Sequence, residues 1–247
     1  MIKLTRAAKP AYLTTEKINQ LTNDFLKSGK SVWNNEHIKS TLLASSNSKC
    51  AYCECPLDKD SNYMEVEHFA DKKNNPNLVV EWDNLLPACK RCNGAKANHD
   101  VNVIPILNPY LDDPKDHLAL RLYRLRGKTE KGRSTIDVTN LNHSTRLVVS
   151  RYEIGNKIGE MIDLAWEKLS TFQTTRGIRE RNRLTGMIEG MLRECLPSAP
   201  YCASTATSLI TDQRFSDLVN AMKADAIWDA ELNDLMAAAS NYVLDVV

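Results

Sequence analysis

Residues 50–53 read CAYC and residues 89–96 read CKRCNGAK. These two Cys-x-x-Cys pairs, with 35 residues between Cys53 and Cys89, decide how the chain is read. Two residues between cysteines let both sulfurs reach one ion from a single tight turn, and four thiolates suit tetrahedral zinc. The plainer explanation, four buried reduced thiols, rarely yields two matched pairs by chance. Cys50, Cys53, Cys89 and Cys92 are therefore the expected zinc ligands. In CAYCEC, Cys55 is an alternative to Cys53, and the matched spacing on the far side favours Cys53. Cys195 and Cys202 fall on helical or linker sequence and read as packing residues.

Composition supports this reading. At 247 residues the chain can bury a core without disulfides. With 43% hydrophobic and 26% charged residues it has the make-up of a soluble globular protein. No apolar run approaches the ~20 residues that span a bilayer, and MIKLTRAAKPAYL has no signal-peptide core. A cytoplasmic location and no membrane partner are expected. There thiols stay reduced, so paired cysteines point to metal. The net charge of +1 hides a gradient: residues 1–49 hold eight Lys/Arg against three acids, and residues 197–247 two against seven. Arg121, Arg124, Arg126, Lys128, Lys131 and Arg133 crowd together, which suits phosphate contact, though solvated faces explain such clusters equally well.

The expected class is α+β and predominantly helical, with a zinc-stapled unit embedded among helices. Four regions are expected: a helical segment 1–49, a zinc-bound core 50–100, a short-strand extension 101–139 and a helical region 140–247. Helical spacing marks 15–28 and 31–44, the latter with Ser31 as cap. YMEVEHF alternates like a strand, residues 74–77 form the turn-rich part of a long excursion, and CKRCNGAK begins a short helix. Further strands are expected at 118–125 and 134–138. Leu147 to Leu169 carry an apolar stripe of helix period, and more helices are expected near 176–195, 211–223 and 228–245.

Between the knuckles, EVEHF places Glu67 beside His68, WDNLL supplies Asn84 on a second short strand, and CNGAK supplies Asn93 and Lys96. Zinc at both ends forces strand, strand and helix into one unit. Such a set suits phosphodiester hydrolysis: a carboxylate and an amide oxygen hold a divalent ion, and a neutral imidazole takes a proton from water. Individually, a His after a Glu, a turn Asn and a capping Asn are commonplace.

Together, CAYC, EH, DN and CKRCNGAK resemble the zinc-knuckle branch of the HNH (ββα-metal, or His-Me finger) nucleases. The resemblance implies His68 as general base, Glu67 and Asn93 as ligands of a catalytic Mg²⁺ or Mn²⁺, and Asn84 as the structural middle Asn. Many members have His where this chain has Asn93, and Glu67 replaces a commoner Asp. More loosely, MIKLTRAAKP, ILNPYLDDPKDHL and GRSTIDVTNLN look like the HNH subunits of Septu and retron-associated anti-phage systems. That implies an ATPase partner and a role in defence against phage.

The function expected is a metal-dependent HNH endonuclease acting on DNA, with tRNA or other RNA as the alternative substrate. Lys96, Arg91, Arg121, Arg124, Arg126 and the N-terminal lysines would contact phosphates. The competing reading is a catalytically inactive zinc module that binds nucleic acid or a partner protein. Against it, such a module has no need for a carboxylate, an imidazole and an amide together.

Overall fold

A computed structural model describes residues 1–57 and 63–247. The chain divides into two compact units, residues 1–118 with 126–142 and residues 119–125 with 143–247.

The first unit opens with helices α1 (Thr15–Ser28) and α2 (Glu36–Ser45). Thr14 caps α1 by accepting the Lys17 N–H, and Gly29 ends it at φ 66°, a left-handed turn that glycine adopts without strain. Helix α2 begins five residues after the expected Ser31, because Asn35 is the cap and accepts from the His37 N–H. Strands β1 (Met64–His68) and β2 (Leu85–Cys89) pair antiparallel, with Glu67 opposite Leu86 and His68 opposite Leu85. The excursion between them carries two single-turn 3₁₀ segments, Pro76–Leu78 and Trp82–Asn84. Asn84 thus ends a turn rather than lying on a strand. Helix α3 (Lys90–Lys96) follows β2 directly and packs on both strands.

Beyond α3, a short helix α4 (Pro114–His117) leads to strands β3 (Leu118–Arg121) and β4 (Arg124–Gly127). The strand expected over 118–125 is therefore a hairpin, whose tip Leu122 has φ 52°. Residues 134–138, also expected as a strand, lie in helix α5 (Glu130–Val138). The Thr129 side chain accepts from Gly132 N–H and starts that helix, a capping signal that the β-branched content of STIDV obscured. Gly132 is required, because a Cβ there would collide with the His117 carbonyl oxygen.

The second unit is built on the long helix α6 (Val149–Thr175), preceded by a π-turn at Ser144–Val148. Helices α7 (Ile178–Arg193), α8 (Cys202–Ile210), α9 (Gln213–Ala224) and α10 (Ala230–Ser240) complete it. Ile162, Leu169, Leu184, Ile188, Phe215, Leu218 and Met222 form its fully buried centre. The last helix, expected to run to residue 245, ends at Ser240, and the chain goes on to β5 (Asp245–Val246), which pairs parallel to β3 in a sheet ordered β4-β3-β5. Helix α8 has no sequence signature of its own: ASTATS is small and polar, yet it is buried on nearly every side. Two of its hydroxyls bond back one turn, Thr205 donating to the Tyr201 carbonyl at 3.2 Å and Thr207 to the Ala203 carbonyl at 2.6 Å. Cys195, in this core, donates to the Met191 carbonyl, and burial pushes its thiol up to about 12, as befits an inert packing residue.

Candidate active site and metal centre

The Sγ atoms of Cys50, Cys53, Cys89 and Cys92 all lie within 4.8 Å of one another, and all four residues are buried. A Zn–S bond of ~2.3 Å requires a tetrahedral edge of about 3.8 Å between sulfurs. Cys53 and Cys89 are 3.8 Å apart, so the donor set fits zinc. The first knuckle turns tightly, Glu54 N–H bonding to the Cys50 carbonyl and Cys50 N–H to the Cys55 carbonyl. The second knuckle is itself a helix start: Cys89 Sγ accepts from Cys92 N–H at 3.5 Å and caps α3. Cys55 is buried beside this group, in reach of Cys50, Cys53 and Cys89, but outside the four-sulfur cluster.

Strand β1 presents two faces, as its period of two dictates. Glu65 and Glu67 face α3. There Lys96 Nζ lies 2.7 Å from Glu67 Oε1 and donates to the His68 carbonyl at 2.8 Å. Lys96 is only 2% exposed, as is Glu67. Lys96 therefore does not present its ammonium to solvent, where a phosphate contact needs it, but locks the strand end that carries Glu67 and His68. Burial pushes the Glu67 carboxyl up to about 7, while the Lys96 charge pulls it down. The Tyr52 hydroxyl, buried between the knuckle cysteines, faces the same carboxylate and is itself held well above its ordinary value, first by burial and then by the Glu67 charge. One turn earlier on α3, Asn93 Nδ2 donates to Glu65 Oε2 at 2.7 Å. Asn93 is thus placed against Glu65, an acid the sequence reading passed over, while Glu67 is engaged by Lys96.

His68 is 4% exposed, and its Nε2 lies 2.9 Å from the Val79 carbonyl oxygen. A carbonyl only accepts, so Nε2 carries the proton and Nδ1 keeps its lone pair. The Trp33 ring packs edge-on against the imidazole at 4.5 Å. Burial drives the His68 pKa down to about 4, with Lys72 and Lys96 adding to the shift and the Val79 contact opposing it, so the ring is neutral at pH 7. Asn84 clamps the excursion that delivers Val79. Its Oδ1 accepts from Ala70 N–H at 2.7 Å, and its Nδ2 donates to the Ala70 and Leu78 carbonyls. Lys72, exposed, holds its ammonium 5.4 Å from the Trp33 ring centre and puts a cation at this end of the strand. Glu65, Trp33, Lys72 and Tyr52 were missed in the sequence. Only Glu65 carried a signal, the two-residue alternation in EVEH that sets it on the same face as Glu67.

The other expected phosphate contacts are dispersed. Arg91 is half-buried on α3. Arg121 and Arg124 are exposed but belong to the second unit, whereas exposed Arg126 belongs to the first. Lys131 is ion-paired with Asp112 at 2.8 Å and Lys128 donates to the Lys115 carbonyl, so the basic run is partly engaged. Nor are all the N-terminal cations free. Arg6 donates to the Trp82, Leu85 and Asp83 carbonyls and stacks 3.8 Å over the Tyr110 ring, Lys3 donates to the Leu111 carbonyl, and Lys49 is buried 3.7 Å from Glu54.

A strand ending in Glu-His, a clamped excursion, a second strand and a cysteine-capped helix form the ββα arrangement of a zinc-stapled HNH nuclease. Residues 50–99 match the family described as HNH endonuclease. Over 246 residues, 99% of this chain and 95% of the relative, the sequence is 42% identical to Septu protein PtuB of Bacillus thuringiensis. The chain belongs to the Septu PtuB family. A second relative, Septu protein PtuB of Bacillus mycoides (strain KBAB4), is 26% identical over 285 residues, covering 90% of this chain and 95% of its own length. The match to PtuB spans both units, so the helical second unit is part of the family's architecture. The chain is an HNH endonuclease, and its nuclease core is the segment of the first unit that carries the four-cysteine cluster. No helix among the described residues is long and apolar enough to cross a membrane.

Proposed function

We propose that the protein hydrolyses phosphodiester bonds of DNA as the effector subunit of a cytoplasmic anti-phage defence complex with an ATPase partner, as the Septu designation of its relatives suggests. The observation that carries the chemistry is His68, an imidazole kept neutral by burial and pinned through Nε2 to the Val79 carbonyl. Its Nδ1 accepts the proton of the attacking water. Asn93 and Glu67 offer the hard oxygen donors that Mg²⁺ or Mn²⁺ takes. When bound, such an ion stabilises the charge that develops at the scissile phosphate and the leaving oxygen. Lys96 keeps Glu67 and the His68 backbone in register, Asn84 holds the excursion that presents the Val79 carbonyl, and Cys50, Cys53, Cys89 and Cys92 clamp the unit through zinc. Exposed Lys72, Arg126, Arg121 and Arg124, with half-buried Arg91, attract the phosphate backbone without reading sequence.

Plasmid DNA and total tRNA incubated with Mg²⁺ or Mn²⁺, with and without the ATPase encoded alongside, test this reading. Wild type is expected to cut DNA and His68→Ala to retain zinc but lose cleavage. Cutting by His68→Ala would remove His68 as the base, and cleavage of tRNA alone would reassign the substrate.

A further inference from the structure

Glu65 and Glu67 share one face of β1 but have different partners. Glu67 is buried and neutralised by Lys96, whereas Glu65 is half-buried, forms no ion pair among the described residues, and meets the neutral amide of Asn93. The spacing allows the pairing: residues two apart on a strand share one face, as do residues three apart on a helix. We propose that Glu65 is a positioning residue that fixes the amide of Asn93 so that its Oδ1 is presented to the catalytic divalent ion. The inference rests on the nuclease reading above.

Donor and acceptor identity fixes the amide. An Asn side chain offers an oxygen and an NH₂ group of nearly equal size, and nothing in its shape selects which way the amide faces. A carboxylate only accepts. Glu65 Oε2, 2.7 Å from Asn93 Nδ2, admits the orientation with NH₂ toward Glu65 and sets oxygen against oxygen in the flipped one. Oδ1 is thereby turned away from Glu65 and kept as a metal donor, while hydrogen bonding to the carboxylate raises its basicity. The backbone supports the arrangement, since the Asn93 carbonyl accepts from Ala97 N–H at 2.9 Å at the end of α3. A free Asn would divide its time between a ligating and a non-ligating orientation, and Glu65 removes that loss.

The test is Mn²⁺ binding to the zinc-loaded full chain, followed by electron paramagnetic resonance of free Mn²⁺. Zinc content and hydrogen-exchange protection of residues 64–97 are checked in every variant. Glu65→Ala is expected to weaken Mn²⁺ about 10- to 100-fold, the usual effect of losing an outer-shell partner, and to recover cleavage at saturating Mn²⁺. Glu65→Gln, whose amide oxygen still accepts from Asn93, should stay much closer to wild type. In an Asn93→Ala background, Glu65→Ala should cost nothing further. Unchanged Mn²⁺ affinity in Glu65→Ala overturns the proposal. So does an equal loss in Glu65→Gln and Glu65→Ala, which would make Glu65 a direct ligand. If zinc-loaded wild type shows no Mn²⁺ site at all, the nuclease assignment of these residues falls with it.

Discussion

Replacing Lys96 by Met separates two roles for one residue. In the sequence Lys96 reads as a phosphate contact; in the fold it is a buried cation between Glu67 Oε1 and the His68 carbonyl. Met keeps most of the packing volume and removes the charge. Leaving one member of a buried pair unpartnered costs about 3–5 kcal/mol. The His68 carbonyl, which also loses its donor, adds about 1–3 kcal/mol. Protonation of Glu67 limits the total, because a carboxyl already at about 7 with Lys96 present rises further without it. The sign follows from linkage: a raised folded-state pKa gives stability at low pH and loses it as pH rises. The penalty is therefore larger at pH 8 than at pH 5. Roughly 3 kcal/mol at pH 8 corresponds to at least ~100-fold faster amide exchange, at ~1.4 kcal/mol per factor of ten. Hydrogen exchange of peptides within residues 64–97 reads this locally, independent of the second unit. Lys96→Met with Glu67→Gln should be less damaging than the sum of the single changes. If Lys96→Met leaves exchange within about threefold of wild type and weakens DNA binding instead, the buried-clamp account is wrong.

The zinc assignment predicts that Cys89→Ser loses the metal and the protection of β1, β2 and α3, because structural zinc contributes folding energy directly; a folded, metal-loaded variant would refute the ligand set. Cys53→Ser should release zinc under conditions where Cys55→Ser retains one equivalent by colorimetric assay, and the reverse result would exchange the two ligands. Arg124→Glu with Arg126→Glu should flatten the salt dependence of DNA affinity by about 0.9 in log–log slope for each phosphate no longer neutralised, and an unchanged slope would make these arginines solvated surface. In the second unit, Phe215→Ala should cost about 3–5 kcal/mol, as expected for truncating a fully buried aromatic; denaturation monitored by Trp166 and Trp228 fluorescence checks it, and a loss below ~1 kcal/mol would contradict the burial.

The legible parts of this chain are those where chemistry fixes spacing. Two Cys-x-x-Cys pairs admit few arrangements around one ion, so the four clustered sulfurs were readable from residue numbers alone. Strand β1, helix α3 and the stripe of α6 follow from local periodicity and needed no tertiary information. What stayed hidden depends on partners distant in sequence. A Lys at the end of a short helix looks solvent-exposed until Glu67, 29 residues earlier, is brought beneath it. Helix α8 is stabilised by burial of ASTATS on nearly every side, which erases the amphipathic pattern that marks a surface helix.

The same logic divides the two acids of EVEH. Alternation places both on one face, and adjacency to His68 draws the eye to Glu67. The deciding fact is the register of α3 against β1, which hands the cation to Glu67 and the amide to Glu65. That register is set by the knuckle itself, because Cys89 ends β2, caps α3 and belongs to the four-sulfur cluster. Moving the second cysteine pair by one residue would rotate α3 by about 100° and part Asn93 from Glu65 and Lys96 from Glu67 together. The four-sulfur cluster and the proposed hydrolytic residues are thus coupled through one short helix. A change that shifts the start of α3 while sparing every site side chain should abolish Mn²⁺ binding and cleavage alike.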